Sequence, residues 1–63
     1  MIEDAIYDCY GGESEMRVED VKKAMMDMLD AQETEVEEAL IRMEKEGRAE
    51  GWMDGDVMMM KVL

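Results

Sequence analysis

The sequence predicts a small α+β domain of three helices, a short extended piece between the first two, and a C-terminal β-hairpin, in the order α-β-α-α-β-β. Three observations lead there. Apolar residues recur at helical spacing in three separate stretches before Gly47. From Arg48 onward the period changes to two, and Asp54-Gly55 places a turn signal inside that last stretch. A chain of 63 residues holds one domain and one core, and at this size the core only marginally offsets chain entropy.

Each element has its own signal. Ile2, Ala5, Ile6 and Cys9 follow the i, i+3, i+4, i+7 rule over about residues 2–10, and Gly11-Gly12 provides the left-handed residue that ends such helices. Met16-Arg17-Val18 alternates briefly. Val21, Ala24, Met25 and Met28 then give a second stripe over about 19–29, starting between Val18 and Asp20. Leu29 to Glu33 breaks it, so the third helix turns sharply back. Thr34 and Glu37 fit a capping box opening a helix over about 34–46, with Val36, Ala39, Leu40 and Met43 as its buried stripe and Gly47 just past its end. The hairpin occupies about 48–63. With Asp54-Gly55 as a two-residue loop, Met53 faces Asp56 and Trp52 faces Val57. Alternation puts Ala49, Met53, Met58, Met60 and Val62 on a core face, and Trp52, Val57 and Met59 on the other among Arg48, Glu50 and Lys61. A tight helix-turn-helix followed by a hairpin wing is a winged helix-turn-helix, and residues 1–63 all belong to it.

Composition narrows the function. The chain is 48% hydrophobic and 40% charged with no proline, which fits a folded domain better than a disordered tail. Its net charge of -11 repels phosphate backbones and anionic lipids and favours basic partner surfaces. Halophilic adaptation is a second account of the surplus acid. No apolar run approaches the roughly 20 residues that cross a bilayer, and the start MIEDAIYD has acids where a secretory signal needs positive charge. Cys9 is the only cysteine, so no internal disulfide forms. An intracellular protein, in cytoplasm or nucleus, is expected.

The stretch Val36-Glu-Glu-Ala-Leu-Ile-Arg-Met-Glu-Lys-Glu-Gly47, followed by a hairpin turning at Asp54-Gly55 and ending in Lys61-Val62-Leu63, resembles the C-terminal winged-helix domain of minichromosome maintenance (MCM) replicative helicases. It is also similar to the C-terminal winged helix of the middle subunit of replication protein A. Both resemblances imply a regulator or protein-docking surface associated with DNA replication more than a reader of DNA sequence. The chain departs from the pattern in its small Ala49 at the first wing strand and in a wing without proline. It has no Gly-x-x-x-x-Gly-Lys-Ser/Thr loop, so under this resemblance it corresponds to the terminal piece of a helicase and not to its motor.

The candidate residues point the same way. A DNA-reading third helix would present its first turns to base edges beside phosphates, yet those turns carry Glu33, Glu35, Glu37 and Glu38. Beside phosphate they would be desolvated with no counterion to release, so the term that normally drives nonspecific affinity has the wrong sign. The seven basic residues are scattered among acids, with Glu38 and Arg42 as the one helix-supporting pair. Ten methionines read as core filler, with Met25, Met28 and Met43 inside, or as an adaptable binding face. Trp52 either folds over the edge of the third helix and closes the core, or anchors an interface with Val57 and Met59. Cys9 reads as a small hydrophobe, Tyr7 and Tyr10 as boundary residues.

No histidine base, nucleophile pair, cofactor motif or metal-ligand cluster is present in the sequence, so an enzyme is not expected. The expectation is an acidic protein-interaction or regulatory module of replication or transcription machinery, binding a basic partner through Trp52, Val57, Met59, Glu35 and Glu38. The alternative is a DNA-binding winged-helix transcriptional regulator whose wing or dimer partner supplies positive charge. A homodimer through the wing face is a third option.

Overall fold

The computed structural model describes residues 2–12 and 15–63. α1 spans Ile2–Tyr10, β1 Met16–Arg17, α2 Val18–Leu29, α3 Glu33–Lys45, β2 Ala49–Asp54 and β3 Val57–Val62. The three strands form one antiparallel sheet in the order β1-β3-β2, with the short piece before α2 added outside the hairpin. Met16 and Arg17 pair with Met60 and Met59.

The core is a small set of apolar side chains drawn from every layer. Ile6 of α1, Val21 and Met25 of α2, Val36, Ala39 and Met43 of α3, and Ala49, Met60 and Val62 of the hairpin are buried in one cluster. Ile2, Ala5, Tyr10, Met16, Val18, Ala24, Ala31 and Leu40 close over it. At about 25 cal/mol per Å² of apolar surface removed from water, these side chains supply most of the favourable free energy of folding. Tyr7 is exposed, so the two tyrosines of α1 sit on opposite sides of the core boundary.

Four predicted core positions lie outside. Cys9 is exposed, because the buried line of α1 runs Ile2, Ile6, Tyr10 at intervals of four and leaves Cys9 to one side. Met28 is 62% exposed on the last turn of α2, where Leu29 is exposed beside it. Met53 and Met58 lie toward the core side of the hairpin but are 58% and 55% exposed, because they sit beside its turn, far from the buried end at Ala49 and Val62.

The hairpin turn is displaced by one residue. Gly55 and Asp56 form the loop, and Asp54 pairs with Val57, Met53 with Met58 and Trp52 with Met59. Gly55 has φ 65° and Asp56 has no positive φ, the pattern of a type II′ turn with glycine first. A loop at Asp54-Gly55 would place the non-glycine Asp54 in the left-handed region. Each partner therefore shifts by two residues, and since side chains alternate with a period of two, every residue keeps the face that the sequence predicts.

The start of α3 also differs. Asp30 takes a left-handed conformation, φ 54°, and the chain turns from α2 to α3 over Asp30, Ala31 and Gln32 alone. Gln32 is the cap residue, and its backbone N–H donates to Glu35 Oε1 at 3.2 Å, in place of the Thr34 and Glu37 pair. At the other end Gly47, φ 76°, closes α3 in a Schellman arrangement: Arg48 N–H donates to Met43 O at 2.8 Å and Gly47 N–H to Glu44 O at 3.1 Å.

Arg42 does not pair with Glu38. It crosses to α1, donating from Nε to Glu3 Oε2 at 3.0 Å, and Arg48 Nη1 lies 3.8 Å from Glu3 Oε1 and 3.8 Å from Glu46. Arg48 also lies over the Tyr7 ring, 5.5 Å from its centroid. Glu3 thus clasps α1 to α3 and to the root of the hairpin, with a side chain only 15% exposed. The hydrogen bond from Arg42 holds its carboxyl below the usual range, opposed in part by burial and aided by the charge on Arg48. A lowered pKa in the fold stabilises the protein above the ordinary carboxylate range, about 4.3, and that contribution disappears as pH falls through the lowered value. Urea titrations between neutral pH and pH 3 should therefore show a steeper acid loss of stability for the wild type than for Glu3→Gln. Parallel curves would remove Glu3 from the acid response.

Candidate functional site

The helix-turn-helix presents an acidic end. Glu33, Glu35, Glu37 and Glu38 are all exposed on the first turns of α3, where the helix dipole favours negative charge. Among the described residues Lys22 of α2 is the only cation within 4.0 Å of them, with Nζ at 3.8 Å from Glu33 and 4.0 Å from Glu37. It pins α2 to α3 without neutralising the group.

The hairpin has two distinct faces. On the outer face the pairing sets Asp54 beside Val57, Trp52 beside Met59 and Glu50 beside Lys61, and Arg17 of β1 flanks Met59 from the other side. Trp52, Val57 and Met59 are thus brought together. Val57 is exposed, while Trp52 and Met59 are half-buried in the row Arg17, Met59, Trp52. Trp52 is neither a closed core residue nor a free anchor. It stands at the rim of β2, also lining a shallow depression with Glu44, Gly47 and Leu63. Trp52→Ala should reduce binding of a protein partner while the helical circular dichroism stays within error of wild type; collapse of the helical signal would instead assign Trp52 to the core.

Glu35 and Glu38 are not part of that face. Both are exposed on α3, where Glu35 accepts a hydrogen bond from the Gln32 amide, while Trp52, Val57 and Met59 are on the strands. The inner side of the wing carries the feature that the sequence reading missed. A cleft of about 400 Å³ runs between β2 and α3, lined by Leu40, Ile41, Met53, Met58 and Met60, reached also by Trp52, and rimmed by Glu37, Glu44 and Glu50, with Lys22 at one end. Ile41 is 54% exposed in it. Glu37, Leu40, Ile41 and Glu44 follow the i, i+3, i+4, i+7 rule, so this second stripe beside the buried one was present in the sequence as a signal.

A second, more polar depression lies between α2 and the wing turn. It gathers Arg17, Lys22 and Lys23, but sets four carboxylates among these three cations: Glu19, Asp27, Glu33 and Asp56. That balance makes a mixed surface, not a track for phosphates. Among the described residues no three His, Cys, Asp or Glu side chains are gathered to hold a metal ion, and no helix is long and apolar enough to cross a membrane.

Three helices, with α2 and α3 joined by a three-residue turn, and a hairpin wing returning beside α3 define the chain as a small α+β winged helix. In comparison with known proteins, no family model, no curated protein and no solved structure matches it.

Proposed function

We propose that this winged helix is a protein-interaction or regulatory module of DNA-replication or transcription machinery, with weak or no direct affinity for DNA. One observation carries the reading: the end of α3 that would enter a major groove displays four exposed glutamates and a single nearby lysine. Phosphate binding gains its affinity when Lys and Arg displace counterions from the phosphates, and among the described residues the one cation beside these glutamates, Lys22, is already within 4.0 Å of Glu33 and Glu37. The apolar residues exposed around the wing, Ile41, Met53, Val57 and Met58, rimmed by acids, suit a basic protein surface. The link to replication rests on the resemblance of residues 36–47 and the hairpin to MCM and replication protein A winged helices. Nothing in the site supplies a base and nucleophile pair, so the role proposed is binding and not catalysis.

Fluorescence anisotropy with a labelled mixed-sequence duplex at low salt tests the DNA side of this reading. No saturable change is expected with protein up to about a thousandfold above the duplex concentration. Binding that weakens steeply as salt rises would replace the reading with a DNA-binding regulator.

A further inference from the structure

We propose that the free edge of β2 takes up an extended peptide of the partner as an added strand, and that this peptide alternates apolar with basic residues. The inference rests on the protein-interaction reading and assigns it a place and a chemistry.

The sheet order leaves β2 at an edge. Leu63 N–H donates to Arg48 O at 2.9 Å, and continuing that ladder through the register makes Glu50 with Lys61, Trp52 with Met59, and Asp54 with Val57 the hydrogen-bonded pairs. The amide and carbonyl groups of Ala49, Gly51 and Met53 therefore point away from β3. Ala49 is buried and marks the closed end; Gly51 and Met53 are exposed. An edge of this kind is normally blunted by proline, by lysine, by a bulge or by a covering loop. β2 reads Ala-Glu-Gly-Trp-Met-Asp, keeps an unbroken register over six residues, and carries neither proline nor lysine; its only charges, Glu50 and Asp54, oppose an acidic strand and not a basic one. Gly51 at its centre has no side chain of its own, as is often so where another backbone approaches a strand.

The same edge is one wall of the cleft, and the Glu37, Leu40, Ile41, Glu44 stripe of α3 is the other. A strand laid against β2 would turn alternate side chains inward over Leu40 and Ile41, and the remainder outward beside Glu50, Trp52 and Asp54. Glu44 Oε2 reaches to 3.2 Å from where a β-carbon on Gly51 would stand, so a carboxylate lies over the cleft face of β2 beside that edge. These acids set the peptide's charge as basic. They also oppose the simplest competitor, a second copy pairing through the same edge, since each chain carries a net charge of -11.

The experiment titrates the ¹⁵N-labelled protein with synthetic nonapeptides alternating valine or leucine with lysine, and with valine-glutamate controls. Saturable binding of the lysine peptides alone is expected, with amide exchange at Gly51 and Met53 slowed at least tenfold. Met53→Pro removes one outward N–H without breaking the β2–β3 ladder and should weaken binding at least tenfold. Peptides N-methylated on the residues facing β2 should lose binding to the unaltered protein, which keeps the test independent of that variant's folding. Three results would overturn the proposal: no binding by any lysine peptide, shifts confined to Trp52, Val57 and Met59 with the edge amides unprotected, or protection of those amides that grows with protein concentration alone. The second result would leave the interaction reading standing and move its surface; duplex binding in the anisotropy experiment would remove the reading itself.

Discussion

Met43→Ala should leave a large fraction of the protein unfolded at room temperature. Met43 is fully buried on α3, in one cluster with Ile6 of α1, Met25 of α2 and Val62 of β3. Truncating a buried methionine costs about 2–5 kcal/mol, because the lost transfer free energy is joined by the cavity left behind. A single core of this size rarely supplies more than about 3–5 kcal/mol in total. The two figures overlap, so the variant sits near its midpoint before any denaturant is added. Urea unfolding followed by circular dichroism would check this, and a midpoint indistinguishable from wild type would mean that the core repacks around the gap. Met28→Ala is the internal control, since Met28 is largely exposed and its truncation should change stability by no more than about 0.5 kcal/mol.

The second large effect is expected at Gly47. Its φ of 76° allows the Schellman closure of α3, and Arg48, the next residue, hydrogen-bonds both back to Met43 and across to Leu63. The glycine therefore sets the direction in which the hairpin leaves the helix, and with it the width of the cleft between α3 and β2. No atom lies within 4 Å of where a β-carbon would stand, so the cost of substitution is conformational and not steric. For a non-glycine residue the left-handed region costs about 1–2 kcal/mol, and a β-branched side chain belongs at the upper end. Gly47→Val should lower stability by about 2 kcal/mol, Gly47→Ala by about 1 kcal/mol, and Gly47→Asn by less, since asparagine visits this region more readily. A flat series across the three variants would show that the turn rearranges at little cost.

Both positions were legible in the sequence, and the reason is local. Val36, Ala39, Leu40 and Met43 repeat at the helical period within one segment, and Gly47 follows where a helix of that length ends. The wing faces were legible too. A two-residue change of partner leaves alternation untouched, so the displaced turn moved Trp52 from Val57 to Met59 without moving either off its face. Gln32 was missed because Thr34 is the stronger cap by residue type, while the turn closed by Asp30 brings the chain into helix two residues sooner.

The sequence by itself determined the order of elements, the buried stripe of α3, the faces of the hairpin and the acidity of the end of α3, all of which follow from neighbours in the chain and the period of the backbone. Only the tertiary structure decided how far the core extends. Met28, Met53 and Met58 satisfy the apolar pattern and remain outside, because burial depends on whether another element reaches that point along the helix or strand. It likewise sent Arg42 to Glu3, thirty-nine positions away, and set the Ile41 side of α3 against the open edge of β2. Contacts between distant segments depend on where the packed elements sit in space, and periodicity along the chain carries no record of that.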